Sequence, residues 1–211
     1  ETFNSPTIDT EKLNTDETLL GDGLTARETS LYKNGKKVAD KLYGLQSVVE
    51  LADGKFVALC IGAKSTKDVW VVNKGCGALA VAPDYRLCVT GEKNTHHLIS
   101  TIINKDGEML YSEPFYHLHD LSNGVDKPTR GMAFDTQGNL YVATPMGVQV
   151  ADHNGRVRAI LSLPAGQVHS LAFSGNYLYV RCGKKIFVRK MNAIGHNPKQ
   201  GAMSYQSQGQ G

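Results

Sequence analysis

"KPTRGMAFDTQGNLYVATPMGVQV" spans residues 127–150 and carries the clearest structural signal in the chain. Two apolar runs, "GMAF" and "LYVAT", flank the turn "DTQGN", which is rich in Asp, Gly and Asn. Apolar runs that alternate with a period of two on both sides of such a turn are typical of a β-hairpin. The stretch therefore predicts two antiparallel strands, with a third strand beginning near residue 147.

The same hairpin pattern occurs four times. Its copies are "LQSVVELADGKFVALCIG" from Leu45, "GALAVAPDYRLCVTGE" from Gly77, "RGMAFDTQGNLYVATP" from Arg130 and "HSLAFSGNYLYVRCGK" from His169. The first large apolar residues after the turns are about 41 residues apart on average, and they are Phe56, Leu87, Leu140 and Leu178. A period of this length is typical of propeller and solenoid repeats.

A second set of turns alternates with the first. Asn or Asp followed by Gly occurs at 34–35, 106–107 and 154–155, and Gly there supplies the positive φ that a tight hairpin needs. Two hairpins per unit make a four-stranded antiparallel blade of a β-propeller. The predicted strands are 77–82, 86–91, 97–104 and 107–115 for blade 3, and 130–135, 139–144, 147–151 and 156–163 for blade 4. A β-sandwich would also show short strands, but it would not explain units with the same order of turns.

The other units are less complete. Residues 27–42 supply only an outer hairpin, residues 45–73 lack a fourth strand, and the last unit ends after Val188 with three strands. We therefore predict an all-β propeller of about five blade-like units over residues 27–191, incomplete relative to six blades. Residues 1–26 form an N-terminal segment that could supply a closing strand, and the Gly-, Gln- and Ser-rich residues 192–211 form a flexible tail or dock as an extended strand. A sustained helical period is absent.

Composition excludes several classes. The net charge of +3 in 211 residues comes without a concentrated basic stripe, so no nucleic-acid partner is expected. No run of 18 apolar residues predicts a membrane span. Cys60, Cys88 and Cys182 lie in apolar strands without zinc-ligand spacing, and buried thiols are expected there. The chain begins at Glu1, which predicts a processed or trimmed product, and a secreted or periplasmic location is an open interpretation.

The sequence from "RGMAFDTQGNLYVATPMGVQVADHNGRV" to "LAFSGNYLYVRCGKKIFVRKMNA" resembles the SMP-30/gluconolactonase family of six-bladed propellers, with the NHL-repeat propellers as near relatives. The match is best over residues 128–190 and weaker over 45–115. This resemblance implies calcium- or zinc-dependent hydrolysis of sugar lactones and related esters, with the metal at one mouth of the channel. The family's metal-binding Asn and Asp, the Asp also being the presumed base, correspond here to Gly77 and Arg130.

The first residues of the inner strands are the candidate site. The register gives Gln46, Gly77, Arg130 and His169 at one channel mouth. Gly77 offers no ligand atom, and Arg130 is a permanent cation that would repel a metal and cannot act as a base. We therefore expect no cofactor, and we predict a ligand site formed by Gln46, Arg130 and His169. Arg130 is either a salt-bridged or solvated channel residue or an anchor for a carboxylate or phosphate.

A second candidate site lies in "FYHLHDL". His117 and His119 share one face of an extended segment, so with Asp120 they could chelate a transition metal. His96 and His97 are adjacent and are expected on opposite faces of a strand. Asp135 and Asp84 begin turns, which explains them without catalysis.

Three hypotheses remain open. The first is a non-catalytic, lactonase-like propeller that binds a small anionic or carbohydrate ligand or docks to another domain or chain through open blade edges. The second is a calcium- or zinc-dependent lactone or ester hydrolase with a site rearranged around His117, His119 and Asp120. The third is a module for protein interaction alone. No catalytic residue can be assigned from the sequence.

Overall fold

The computed structural model describes residues 18–21, 23–92, 95–119, 131–164 and 167–203. These residues form eighteen β-strands and one 3-10 turn, Pro198–Gln200. The strands are β1 (Thr18–Gly21), β2 (Leu24–Arg27), β3 (Ser30–Lys33), β4 (Lys36–Ala39), β5 (Ser47–Glu50), β6 (Phe56–Leu59), β7 (Val69–Val72), β8 (Cys76–Val81), β9 (Leu87–Gly91), β10 (His97–Ile103), β11 (Met109–His117), β12 (Met132–Phe134), β13 (Leu140–Thr144), β14 (Gly147–Ala151), β15 (Val157–Leu161), β16 (Ser170–Ser174), β17 (Tyr177–Cys182) and β18 (Lys185–Lys190). Within these ranges no helix is long and apolar enough to cross a membrane.

The strands form five sheets, which we number as blades 1 to 5 in chain order. Blades 1, 3 and 4 have four strands each (β1–β4, β8–β11 and β12–β15), and blades 2 and 5 have three each (β5–β7 and β16–β18). The predicted strands of blades 3 and 4 are confirmed to within about two residues at each end. Gly35, Gly107 and Gly155 have φ between 76° and 82°, as their turns require.

Two features of the sheets differ from the prediction. Blade 1 contains an inner hairpin, β1 and β2, in addition to the outer hairpin that the sequence indicates. In blade 2, β7 pairs parallel to β6, although antiparallel pairing was expected throughout. The reason is that residues 60–68 carry the chain back to the start of β6. In that loop Ser65 Oγ and Thr66 Oγ1 accept hydrogen bonds from Val71 and Val69 N–H at 2.9 and 3.1 Å, so hydroxyls replace a fourth strand.

The core lies between neighbouring blades. In β8, Leu79 and Val81 pack against blade 2, while Ala78 and Ala80 pack against blade 4. Because successive side chains of a strand point to opposite faces, a strand buried on both faces is apolar at every position. The strands β5, β8, β12 and β16 are in contact with one another from blade to blade, and they are therefore the inner strands.

The cysteines follow the prediction. Cys60, Cys88 and Cys182 are buried, and these three thiols are free. Burial raises the pKa of Cys60 to about 11 and that of Cys88 to about 12, so both are neutral thiols near neutral pH.

Candidate functional site

The inner strands surround a central cavity of about 440 Å³. Its wall is polar and apolar in about equal parts, and each of the four inner strands contributes three consecutive residues, at 48–50, 79–81, 132–134 and 171–173. Leu24 of blade 1 adds to this wall, and residues 196–199 close one end. We call this space the channel. Its two ends are the strand-start mouth, where the inner strands begin, and the strand-end mouth, where they finish.

At the strand-start mouth, two of the sequence-predicted residues contact each other. Gln46 is exposed just before β5, and its Oε1 accepts a hydrogen bond from Gly77 N–H at 2.8 Å. Gly77 has a φ of 76°, in the left-handed region that favours glycine. Gln46 therefore joins blade 2 to blade 3, and its side-chain oxygen already accepts a backbone hydrogen bond.

His169 is half-buried just before β16. The ring Nδ1 of His169 accepts a hydrogen bond from Gly183 N–H at 3.0 Å, and the backbone N–H of His169 donates to Arg181 O at 2.8 Å. The ring is thus fixed with Nε2 as its remaining polar atom. Arg130, the fourth residue of this register, lies outside the described residues.

The described residues of this register do not fit the metal that the family resemblance implies. Calcium takes six to eight oxygen ligands, with carboxylates prominent among them. Gln46, Gly77 and His169 together supply one amide oxygen, which accepts a backbone hydrogen bond, and one imidazole. No reaction step through a metal at this mouth follows from these groups.

The strand-end mouth is covered by residues 192–203, which we call the C-terminal strap. It is bound to the ends of three inner strands and the turns that follow them: His196 N–H donates to Phe134 O at 2.9 Å, Gly195 N–H to Gly175 O at 2.8 Å and Met203 N–H to Pro83 O at 2.7 Å. These residues are docked on the sheet ends, and they contain a 3-10 turn at Pro198–Gln200 rather than a continuous extended strand. Residues 204–211 lie outside the described part.

Glu50 at the end of β5 anchors the strap by charge. Its Oε2 lies 3.0 Å from Lys199 Nζ and 2.6 Å from Lys33 Nζ. Burial alone would raise the pKa of Glu50, but hydrogen bonds from the two ammonium groups outweigh it and hold the pKa below its ordinary value. Tyr85 O–H adds a hydrogen bond to Pro198 O.

His196 is the polar group that the strap brings to the channel. Its side chain is 8% exposed, it lines the cavity, and its Nε2 has no hydrogen-bond partner among the described residues. Burial lowers the pKa of His196, so the ring is neutral at pH 7. The sequence does not predict this site residue, because "GHNPKQG" has no strand periodicity and falls in the predicted tail.

The histidines of blade 3 are arranged differently from the prediction. His117 is exposed at the end of β11 and its ring faces those of His97 and His96. His96 and His97 do not point apart, because His96 precedes β10 and is free of the strand's alternation. His119 is held through its backbone, whose N–H and carbonyl bond to the Gln149 side chain at 2.8 and 2.6 Å. Asp120 lies outside the described residues.

The His117 ring loses its proton more readily than a free imidazole does. Partial burial and the neighbouring imidazoles of His96, His97 and His119 lower the pKa of His117.

The turn aspartate Asp135 behaves as predicted. It is buried and accepts hydrogen bonds from the N–H groups of Gln137 and Asn139, both at 2.9 Å.

Comparison with known proteins identifies the fold. No protein-family model and no curated protein sequence matches the chain. A solved structure of a luciferin-regenerating enzyme has a TM-score of 0.62 at 14% identity, covering 87% of this chain and 79% of that one. A calcium-binding protein, regucalcin, from Agrobacterium tumefaciens has a TM-score of 0.56 at 15% identity, covering 87% and 75%. A gluconolactonase from Xanthomonas campestris has a TM-score of 0.57 at 12% identity, covering 82% and 68%.

These similarities confirm the predicted all-β, lactonase-like propeller at the level of the fold. Identities of 12–15% carry no residue roles from the neighbours to this chain. Any function must therefore be argued from the channel, the strap and the histidines themselves.

Proposed function

We propose that the chain is a lactonase-like propeller domain that binds a small carbohydrate or anionic ligand in its channel without hydrolysing it. One observation carries the proposal. At the strand-start mouth, the described side chains are an amide and an imidazole that already accept hydrogen bonds from backbone N–H groups. Neither group is arranged as a metal ligand set or as a nucleophile with its base.

The channel has properties suited to a small ligand. A cavity of about 440 Å³ lies within the range of small-molecule sites, which are mostly apolar with a few convergent polar groups. His196 contributes an unpaired Nε2 and Asn197 an amide, whereas the Glu50 carboxylate is paired with two cations, Lys33 and Lys199. Hydrogen-bonding groups beside apolar side chains favour a sugar ring.

Arg130 decides between a neutral and an anionic ligand. Its role as an anchor for a carboxylate or phosphate stays a prediction from the sequence register. A guanidinium binds planar carboxylates through two parallel hydrogen bonds, so an anionic sugar would gain affinity from Arg130 that a neutral sugar would not.

The test compares a neutral and an anionic probe. Calorimetry on metal-stripped protein is carried out with methyl glucoside and with gluconate, using wild type, H196A, R130A and the surface control H153A. We expect H196A to weaken both probes about tenfold, from the loss of one hydrogen bond, R130A to weaken gluconate alone, and H153A to change neither. Binding of neither probe would refute the proposed ligand class.

A lactone hydrolysis assay with and without calcium and zinc tests the absence of catalysis. We expect no turnover above the spontaneous rate under either condition. Metal-dependent turnover that saturates with substrate would refute the non-catalytic proposal and favour the metal-dependent hydrolase instead.

Docking to another chain, here a second copy, is a second candidate, favoured by blade 5. In β17, Leu178 and Val180 are buried against blade 4, whereas Tyr177 and Tyr179 on the other face are 42% and 38% exposed. Exposed tyrosines on a sheet face are typical of contact surfaces. We expect Y177S/Y179S to leave sugar binding intact and to abolish any self-association seen by sedimentation; unchanged association would exclude this face.

A further inference from the structure

Three histidine rings converge at one end of the outer strand pair of blade 3. His97 begins β10, His117 ends β11, and the two residues are directly paired in this antiparallel ladder. His96 precedes β10, and its carbonyl accepts a hydrogen bond from Leu118 N–H at 2.9 Å. The backbone therefore holds all three residues together without any ligand. We call them the triple-histidine cluster.

The three rings are nearly close enough together to bind one metal ion. The ring centroids are 4.9 Å apart for His96 and His97, 4.4 Å for His96 and His117, and 4.6 Å for His97 and His117. One nitrogen of each ring lies within 4.8 Å of the other two. Tetrahedral coordination at about 2.0–2.1 Å separates ligand nitrogens by roughly 3.3 Å, so small ring rotations suffice.

In the closest pair, His97 and His117, one nitrogen of each ring faces the other. His97 Nε2 and His117 Nδ1 share a hydrogen bond of 2.7 Å. A metal ion between them would replace the shared proton and widen the gap by roughly 0.6 Å. His117 is exposed and the other two rings are half-exposed, so this movement does not disturb the core.

Glu92 lies on the other side of the His97 ring, beyond hydrogen-bond length, where its charge favours a proton on Nδ1. Its Oε2 lies 3.7 Å from His97 Nδ1 and accepts a hydrogen bond from Thr95 O–H at 2.7 Å. Thr95 Oγ1 in turn accepts the backbone N–H of His97 at 3.1 Å. Metal-ligating histidines commonly present their second nitrogen to a carboxylate, which fixes the tautomer and leaves the first nitrogen as the ligand.

The donor set determines the class of ion. Three imidazoles suit zinc, copper or nickel, whereas calcium requires oxygen ligands. Leu98, the residue after His97, pairs with Gly91 of β9, and Gly91 pairs with Cys76 at the start of β8. The cluster therefore lies at the strand-start end of blade 3, but on the outer strands and away from the channel. We propose that His96, His97 and His117 bind a divalent transition-metal ion of the zinc class, with the fourth position open to water.

Zinc calorimetry on untagged, metal-stripped protein tests the proposal. The expected result is one zinc ion per chain at micromolar affinity or better, weakened at least about 100-fold in H97A and in H117A. H119A is the matched control, because His119 is a nearby histidine outside the cluster, and it should bind zinc within about threefold of wild type. E92Q should lose about tenfold, since it removes the carboxylate charge that favours a proton on Nδ1.

Spectroscopy of the wild-type protein provides a readout that does not depend on any variant. Bound Cu²⁺ should show hyperfine coupling to imidazole nitrogen, and calcium in excess should displace neither copper nor zinc. The proposal is overturned if wild type binds no zinc at about 100 μM, if binding survives both H97A and H117A, or if H119A loses zinc as completely as H97A does. The channel residues take no part in these measurements, so failure here leaves the proposed sugar binding unaffected.

Discussion

Replacing Glu50 with glutamine is the most direct test of how the strap is held. The substitution E50Q keeps the size of the side chain and removes the charge that Lys33 and Lys199 share. A hydrogen bond to a charged group contributes about 1.5–3 kcal/mol when it is buried. The lysines are 23% and 33% exposed and Glu50 is 15% exposed, so solvent screening reduces each contact to about 1 kcal/mol.

The expected loss at pH 7 is therefore about 2 kcal/mol in the free energy of unfolding. In a chain of this length it corresponds to a thermal midpoint lower by roughly 4–8 °C. The matched control is D40N, because the Lys37–Asp40 pair is 3.6 Å apart with both side chains more than half exposed. We expect D40N to change the free energy of unfolding by less than about 0.5 kcal/mol.

The dependence on pH identifies the charge as the cause. The pKa of Glu50 is depressed in the folded state, so its stabilisation is complete above the unfolded pKa and is lost as the pH falls through the folded pKa. Urea unfolding should therefore show the full gap between wild type and E50Q at pH 7 and a much smaller gap near pH 3. Tryptic cleavage after Lys199 should also be faster in E50Q. A gap of equal size at both pH values, or none at pH 7, would refute this account of the strap.

Two further predictions concern the blades. G107A should destabilise the protein by about 3 kcal/mol or more, because φ is +82° and the new Cβ would overlap the Trp70 ring. G54A, at φ +76° in open space, should cost only about 1 kcal/mol in urea unfolding, and equal losses would contradict the packing argument. A thiol-specific disulfide reagent should modify half-buried Cys76 long before Cys88, which is fully buried with a pKa of about 12; equal rates in the native protein would contradict the burial.

Local signals account for the part of the fold that the sequence predicts. Blades 3 and 4 have long alternating runs and Asp- or Asn-Gly turns, so each hairpin is specified by residues that are close in the chain. The inner hairpin of blade 1 begins with "TLLG", a run without the apolar and polar alternation that marks the other strands. The parallel pairing of β6 with β7 depends on the loop at residues 60–68, whose Ser65 and Thr66 contacts have no sequence signature.

The candidate site was predicted less completely, for a related reason. The register placed Gln46 and Gly77 at one mouth, where they are in contact. The strap could not be found in the same way, because Tyr85 and Pro198 meet across 113 positions of the chain. The triple-histidine cluster was missed because strand alternation was applied to His96, which lies just outside the strand.

The two mouths differ in a way that sets the direction of ligand access. At the strand-end mouth, the strap is bound to four blades, by backbone hydrogen bonds to blades 3, 4 and 5 and by the Lys199–Glu50 ion pair to blade 2, and it carries the buried His196. At the strand-start mouth, exposed Gln46 and half-buried His169 border the opening. A ligand that enters there reaches His196 only at the far end, so the strap forms the floor of the site. E50Q weakens the attachment of the strap, so it should weaken sugar binding through His196 even though Glu50 itself is paired with lysines. Unchanged affinity in E50Q would show that the ligand stays at the strand-start mouth.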